Sequence, residues 1–219
     1  MPPPVPSVRP RALSWAALVL LAVLGLWLFP IFRVVPLDTR TSAASAAGLE
    51  ADAFVERFWN DRLLPAGLQA VDAVELLSAL RQDTAAAAEQ YGHRLGLSST
   101  VSYLLSGTGR ISGVTPTAVS IALGDDPTAV ELLIEFGPVF GNAIRDGSGL
   151  LDVSDFPNSQ DFNALSAQFN RRVEERVLPA LQAGAAPGAT VRFIGAAEIL
   201  HPATDLQPLR IVPVHIEFP

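Results

Sequence analysis

The chain has 219 residues, 49% apolar and 17% charged, with no cysteine and no lysine. Its 15 arginines stand against 22 acids, for a net charge of −7. These numbers exclude a disulfide scaffold, a thiolate metal site, a cysteine nucleophile and lipid attachment through cysteine, and they lack the basic footprint of a nucleic-acid binder.

Residues 1–11 are proline-rich and carry Arg9 and Arg11 without an acid. Ala12 to Phe32 then run without a charge, a length of about 31 Å as a helix, enough for a bilayer core of about 30 Å. Trp15 near one end and Trp27, Phe29 and Phe32 toward the other suit the two interfaces. A cleaved signal peptide would need a small-residue site soon after a shorter apolar region. The small-residue tract, Ser42 to Gly48, instead lies beyond Pro30, Arg33 and Pro36. The expectation is an uncleaved transmembrane anchor over 12–32. Arg9 and Arg11 put the N-terminus in the cytoplasm by the positive-inside rule. Residues 33–219 hold 13 arginines and 22 acids, a net charge of 13 − 22 = −9, and would form the periplasmic bulk of a single-pass protein of the bacterial inner membrane.

Residues 33–48 read as a tether and 49–96 as a helical part. Phe54, Phe58, Trp59 and Leu63 recur at helical spacing, and the Leu64-Pro65 step should end that helix. Val71, Val74, Leu77 and Leu80 make a second stripe, running through Ala85–Ala88 toward Tyr91, with Gly92 and Gly96 as stops. From 97 to 219 the period changes. Residues 130–136 and 212–218 alternate as half-buried strands, and 100–112, 117–124 and 190–199 are weaker strand candidates. Pro213 should put the last strand at an edge, or turn its N–H-free side outward. Between the third and fourth strands, Phe162, Leu165, Phe169, Val173, Val177 and Leu181 mark an amphipathic helix with Asn158 as N-cap, which Pro179 should kink or end. The class is α+β: a transmembrane helix, a helical segment, then a five-stranded OB-like antiparallel β-barrel with one helix between strands 3 and 4. An open antiparallel sheet with one packed helix would give the same order.

The most unusual stretch is Phe136 to Gly149, with four glycines, a proline and the Arg145-Asp146 pair. It reads either as a pocket loop, with Arg145 clamping an anion or sugar hydroxyl and Asp146 accepting hydrogen bonds, or simply as turns, with Arg145 paired to a nearby carboxylate. Gly107-Thr108-Gly109 lacks the third glycine of a dinucleotide fingerprint and reads as a bulge or tight bend. His93, His201 and His215 lack metal-ligand spacing, so no metal and no cofactor is expected. Asp152, Asp155 and Asp161 read as helix caps. No serine-hydrolase elbow occurs, and no catalytic residue is assigned.

Gly137-Pro138-Val139, Gly141-Asn142-Ala143-Ile144-Arg145-Asp146, Asp155 to Gln160 and Asn170 resemble a bacterial family of predicted periplasmic lipoproteins, domain of unknown function 2291. Weaker matches are Trp59 with Leu64-Pro65, Tyr91-Gly92, Gly107-Thr108-Gly109 and Pro213-Val214. The resemblance implies a helical part plus an OB-like β part, and a place beside sugar ABC transporters. The chain departs from it in lacking a lipobox cysteine, so that the 12–32 helix would replace the lipid, and in having Phe140 where a basic residue is expected. The expected partners are the inner membrane and sugar ABC transporter subunits, with no nucleic acid. Asn142, Arg145, Asp146, Asn158 and Gln160 are the expected ligand-binding cluster. The function expected is that of a periplasmic accessory or binding protein. The alternatives are an envelope hydrolase of carbohydrate or peptidoglycan, with Asp146 and Asp155 as its acids, and a purely structural envelope protein.

Overall fold

The computed structural model describes residues 51–126 and 128–219. The expected anchor (12–32) and tether (33–48) lie outside the described residues. Among the described residues no helix is long and apolar enough to cross a membrane.

The first helix, α1, covers residues 51–68. It does not end at Leu64-Pro65 as expected. A π-helical turn, Trp59–Leu63, stands immediately before the proline, and the helix carries on as Leu64–Leu68. A wider turn relieves the clash between a proline ring and the preceding carbonyls, which otherwise breaks a helix. The second expected stripe is split. A two-residue strand, β1 (Val71–Asp72), leads into α2 (Ala73–Gln82) and α3 (Thr84–Tyr91). Asp72 and Asp83 each cap the helix that follows them, accepting two backbone N–H bonds apiece, and the second cap is what interrupts the stripe. Leu76, Leu77 and Leu80 are buried, whereas Val74 is exposed.

The β part holds β2 (Val101–Val114), β3 (Ala118–Ala122), β4 (Leu132–Glu135), β5 (Thr190–Ile199), β6 (Leu209–Arg210) and β7 (Val212–Glu217). Among the described residues seven strands thus stand where five were expected, because β1 joins the edge of β2 and the last strand is interrupted at Ile211. The order β6-β4-β3-β2-β5-β7 curls so that its two ends are consecutive pieces of one segment, 209–217. The front of that segment pairs in parallel with β4, through Leu209 N–H to Glu131 O and Ile211 N–H to Leu133 O, both at 3.0 Å. Its back pairs antiparallel with β5. Closure in this way leaves few open sheet edges. Pro213 sits buried opposite Gly195, at the register shift in the β5–β7 pair, in a strand whose ladder pairs it with β5 alone. The bulge expected at Gly107-Thr108-Gly109 is absent. The β2–β5 ladder runs unbroken there, and the glycine is needed for space: a Cβ on Gly109 would lie 2.5 Å from Ile121 Cγ2.

Between β4 and β5 stand a short helix, α4 (Ala143–Gly147), and the long helix α5, which begins as Ser159–Arg172. Asn158 caps α5 as expected, accepting from Asp161 N–H at 2.9 Å. Pro179 does not end the helix. A second π turn, Val173–Val177, again precedes the Leu-Pro step, and the helix continues over Leu178–Gly184. The extra residue of the π turn moves the buried face on by one, so Leu178 is buried in place of the expected Val177. Phe58 and Trp59 of α1 meet Phe169 of α5 at ring distances of 5.6 and 6.2 Å. Arg172 of α5 pairs with Glu56 of α1 and lies 5.1 Å from the centroid of the Trp59 ring. The helices and the barrel share one buried core, in which Trp59, Leu77, Tyr103, Phe169 and Phe193 all take part.

Candidate functional site

The Gly-rich stretch after β4 forms a loop that is pinned at three points. Glu174 Oε1 accepts from Val139 N–H at 2.6 Å, Asn170 Nδ2 donates to Gly141 O at 3.1 Å, and Glu198 Oε1 accepts from Asn142 N–H at 3.1 Å. Gly141 has a φ of +90°, and a Cβ there would lie 2.6 Å from Glu198 Oε2, so both backbone and space require glycine. The loop delivers Asn142 to the N-cap position of α4, where its side chain makes no capping bond.

Arg145, on α4, is 2% exposed, and each of its three guanidinium nitrogens donates one hydrogen bond. Nε and Nη2 donate to the two oxygens of Asp146 at 2.6 and 3.0 Å, and Nη1 donates to Asn163 Oδ1 at 2.9 Å. Its carbon Cζ stands 4.1 Å over the ring of Phe162. The bidentate pair takes up the side-on fork with which an arginine would grip an incoming anion, and Phe162 covers one face. Arg145 therefore holds Asp146 in place rather than clamping a ligand, which is the second of the two readings the sequence left open.

The groups converge on a cavity of about 310 Å³. Its floor is the β2–β5 ladder, where Ser102 sits directly opposite Glu198. Asn142, Arg145 and Asp146 line it from α4, and Leu95, Ser98 and Thr100 line it from the loop before β2. Burial first, and then the Asp146 charge, push the Glu198 carboxyl above the usual carboxylate range, while the Asn142 N–H bond and the Arg145 charge pull the other way. The cavity thus offers a side-chain amide, hydroxyls and two carboxylates, with its one lining cation neutralised internally.

Of the expected cluster, Asn142, Arg145 and Asp146 come together here. Asn158 and Gln160 do not: Asn158 is exposed and occupied with Asp161, and Gln160 is exposed on the first turn of α5. Asp155 lines a different groove, beside Phe54, Phe58 and Phe156, and accepts from Asp152 N–H, so it shares no cavity with Asp146. Asp152 caps a short turn, Val153–Asp155, in keeping with a capping role for that acidic run. His93 lies against Gly149, and His201 and His215 are exposed. Among the described residues no group of three or more histidines and acids is placed to hold a metal.

The residue that sequence reasoning missed is Glu198. Its signal was a single acid within the small and apolar run Ile194 to Ile199, on a strand whose other face is core. Ser102 was missed because it is one of several hydroxyls on the strand opposite, with nothing local to single it out.

A solved OB-fold protein from Thermotoga maritima is similar in structure, with a TM-score of 0.65 and 24% identity over 77% of this chain and 98% of its own. That likeness concerns the fold. No curated protein matches the chain. The model of the family described as predicted periplasmic lipoprotein, domain of unknown function 2291, matches residues 17–217. The family places the protein in the cell envelope, and with a match along almost its whole length, the chain belongs to that family.

Proposed function

We propose that this protein is a non-catalytic binding module of the bacterial envelope, taking a small neutral sugar into the cavity between α4 and the β2–β5 ladder. The observation that carries the reading is the internal pairing of Arg145. With that charge paired to Asp146, the cavity presents acceptors and hydroxyls and, among the described residues, no unpaired cation. Such a surface favours a ligand rich in hydroxyl groups and disfavours an anion. In this reading residues 12–32 anchor the chain in the inner membrane, the bulk occupies the periplasm, and the module serves a sugar ABC transporter, the association that the family resemblance implies.

Calorimetric titration of the full-length chain with monosaccharides tests the binding role. At least one of glucose, galactose, xylose, ribose or myo-inositol should bind, and Glu198→Gln should weaken it about tenfold or more through loss of a charged acceptor. Binding that is equal in both proteins would remove Glu198 from the site. Cross-linking in native membranes followed by pull-down tests the transporter role: recovery of transporter subunits supports it, and their consistent absence counts against it.

A further inference from the structure

The polar cavity is not alone on its side of the barrel. A second concavity shares Glu198 with it and is walled by Pro138, Val139 and Phe140 on one side and by Arg210 and Pro213 on the other. Phe140 is 81% exposed, although it belongs to a loop pinned at three points. The hydrogen bonds to Val139, Gly141 and Asn142 bracket it on both sides. A phenyl ring held out into water by a fixed backbone forgoes the burial that a core phenylalanine gains. Its exposure follows from a rigid support, which is the arrangement that lowers the ordering cost of a contact. The groove is also short of positive charge. Arg210 Nε lies 3.6 Å from Glu135 Oε1, and Glu198 adds a further carboxyl. A phosphate or carboxylate would meet two acids and one shared arginine, whereas a neutral ring with an apolar face and hydroxyls at its edge meets a phenyl surface and hydrogen-bonding ends.

We propose that this groove is a second sugar subsite, in which Phe140 stacks on the next ring of an oligosaccharide whose first ring occupies the polar cavity, with Glu198 accepting hydrogen bonds from both rings. The proposal rests on the sugar reading of the polar cavity and adds the length of the ligand. Gly141 is the joint between the subsites: its missing side chain lets the Glu198 carboxyl stand between the loop and the strand.

The test is titration of the full-length chain with glucose, galactose and xylose and with the disaccharides and trisaccharides built from them, for the wild type and for Phe140→Ala. The expected result is that one disaccharide or trisaccharide binds about tenfold more tightly than its own monosaccharide, a step typical of burying one aromatic face. In Phe140→Ala the ratio of the two affinities should fall toward one, with an unchanged thermal melting curve showing that the fold is intact. Equal affinities for monosaccharide and oligosaccharide in the wild type, or an unaltered ratio in Phe140→Ala, overturn the second subsite and leave the first standing. Absence of binding by every sugar overturns the reading of the polar cavity itself, and this inference with it. Retention of a partner protein by the wild type but not by Phe140→Ala, with no gain for any oligosaccharide, reassigns the groove to protein contact and likewise overturns the proposal.

Discussion

Removing the Arg145 guanidinium should unfold more than it disables. Arg145→Ala strands the Asp146 carboxylate, which is 13% exposed, and leaves Asn163 Oδ1 without its donor. It also uncovers the face of Phe162, over which the guanidinium now sits. Breaking one side of a buried pair costs about 3–5 kcal/mol, most of it the penalty of the charge left behind. For a unit of this size each kcal/mol moves the melting temperature by about 2–4 °C, so a fall of about 6–20 °C is expected. Urea denaturation of the wild type, Arg145→Ala and the double variant Arg145→Ala/Asp146→Asn is the assay. The double variant should recover part of the loss, because the uncompensated charge is gone, and the non-additivity measures the coupling. A loss in Arg145→Ala below about 1 kcal/mol, the level of an exposed ion pair, would refute the view that this arginine holds α4 to α5.

Three further outcomes follow from the same geometry. Gly141→Ala forces a Cβ into the left-handed region and against Glu198 Oε2, so it should lose about 1–3 kcal/mol in stability and weaken sugar binding as well, measured by denaturation and calorimetry on the same sample. The Glu198 carboxyl is raised above its unfolded value of 4.5, so between that pH and its folded value the native state holds the extra proton and stability falls as pH rises. Glu198→Gln should therefore be more stable than the wild type at pH 7, with the difference vanishing near pH 4; a difference independent of pH would contradict the burial. Asn158→Ala should cost about 1 kcal/mol through loss of the α5 cap, yet leave sugar affinity unaltered, because its amide is spent on Asp161.

Much of the barrel was legible because its faces alternate. Val212, Val214 and Ile216 stand against exposed His215 and Glu217, and the stripe from Phe162 to Val173 marks α5. The π turns were not legible. A Leu-Pro step signals a helix end from local sterics alone, and only the i+5 jump from Val173 to Leu178 on the buried face shows how the chain widens to pass it. The two-residue strand β6 is too short for a period to be read, so the residues that close the barrel were the ones missed. At the site, the glycines between Gly137 and Gly149 advertised the loop, and with it Asn142, Arg145 and Asp146. Glu198 lies 56 positions from Asn142, and its place follows from the β2–β5 register, which no local pattern states. The same distance effect misled the reading of Asn158 and Gln160. They are close to Arg145 in sequence, but α5 turns its first residues toward solvent while its second turn sends Asn163 back to the guanidinium.

In the proposed reading the cavity over the Ser102–Glu198 pair holds a neutral sugar. A crystal structure of the full-length chain grown with the tightest-binding sugar tests it most directly. The expected result is a ring seated between α4 and the β2–β5 ladder, with hydroxyls within hydrogen-bonding distance of the Asn142 side chain and Glu198, and with the Arg145–Asp146 pair unmoved. A sugar bound elsewhere on the molecule with this cavity filled by water, or Arg145 swung out of its pair to reach the ligand, would contradict it.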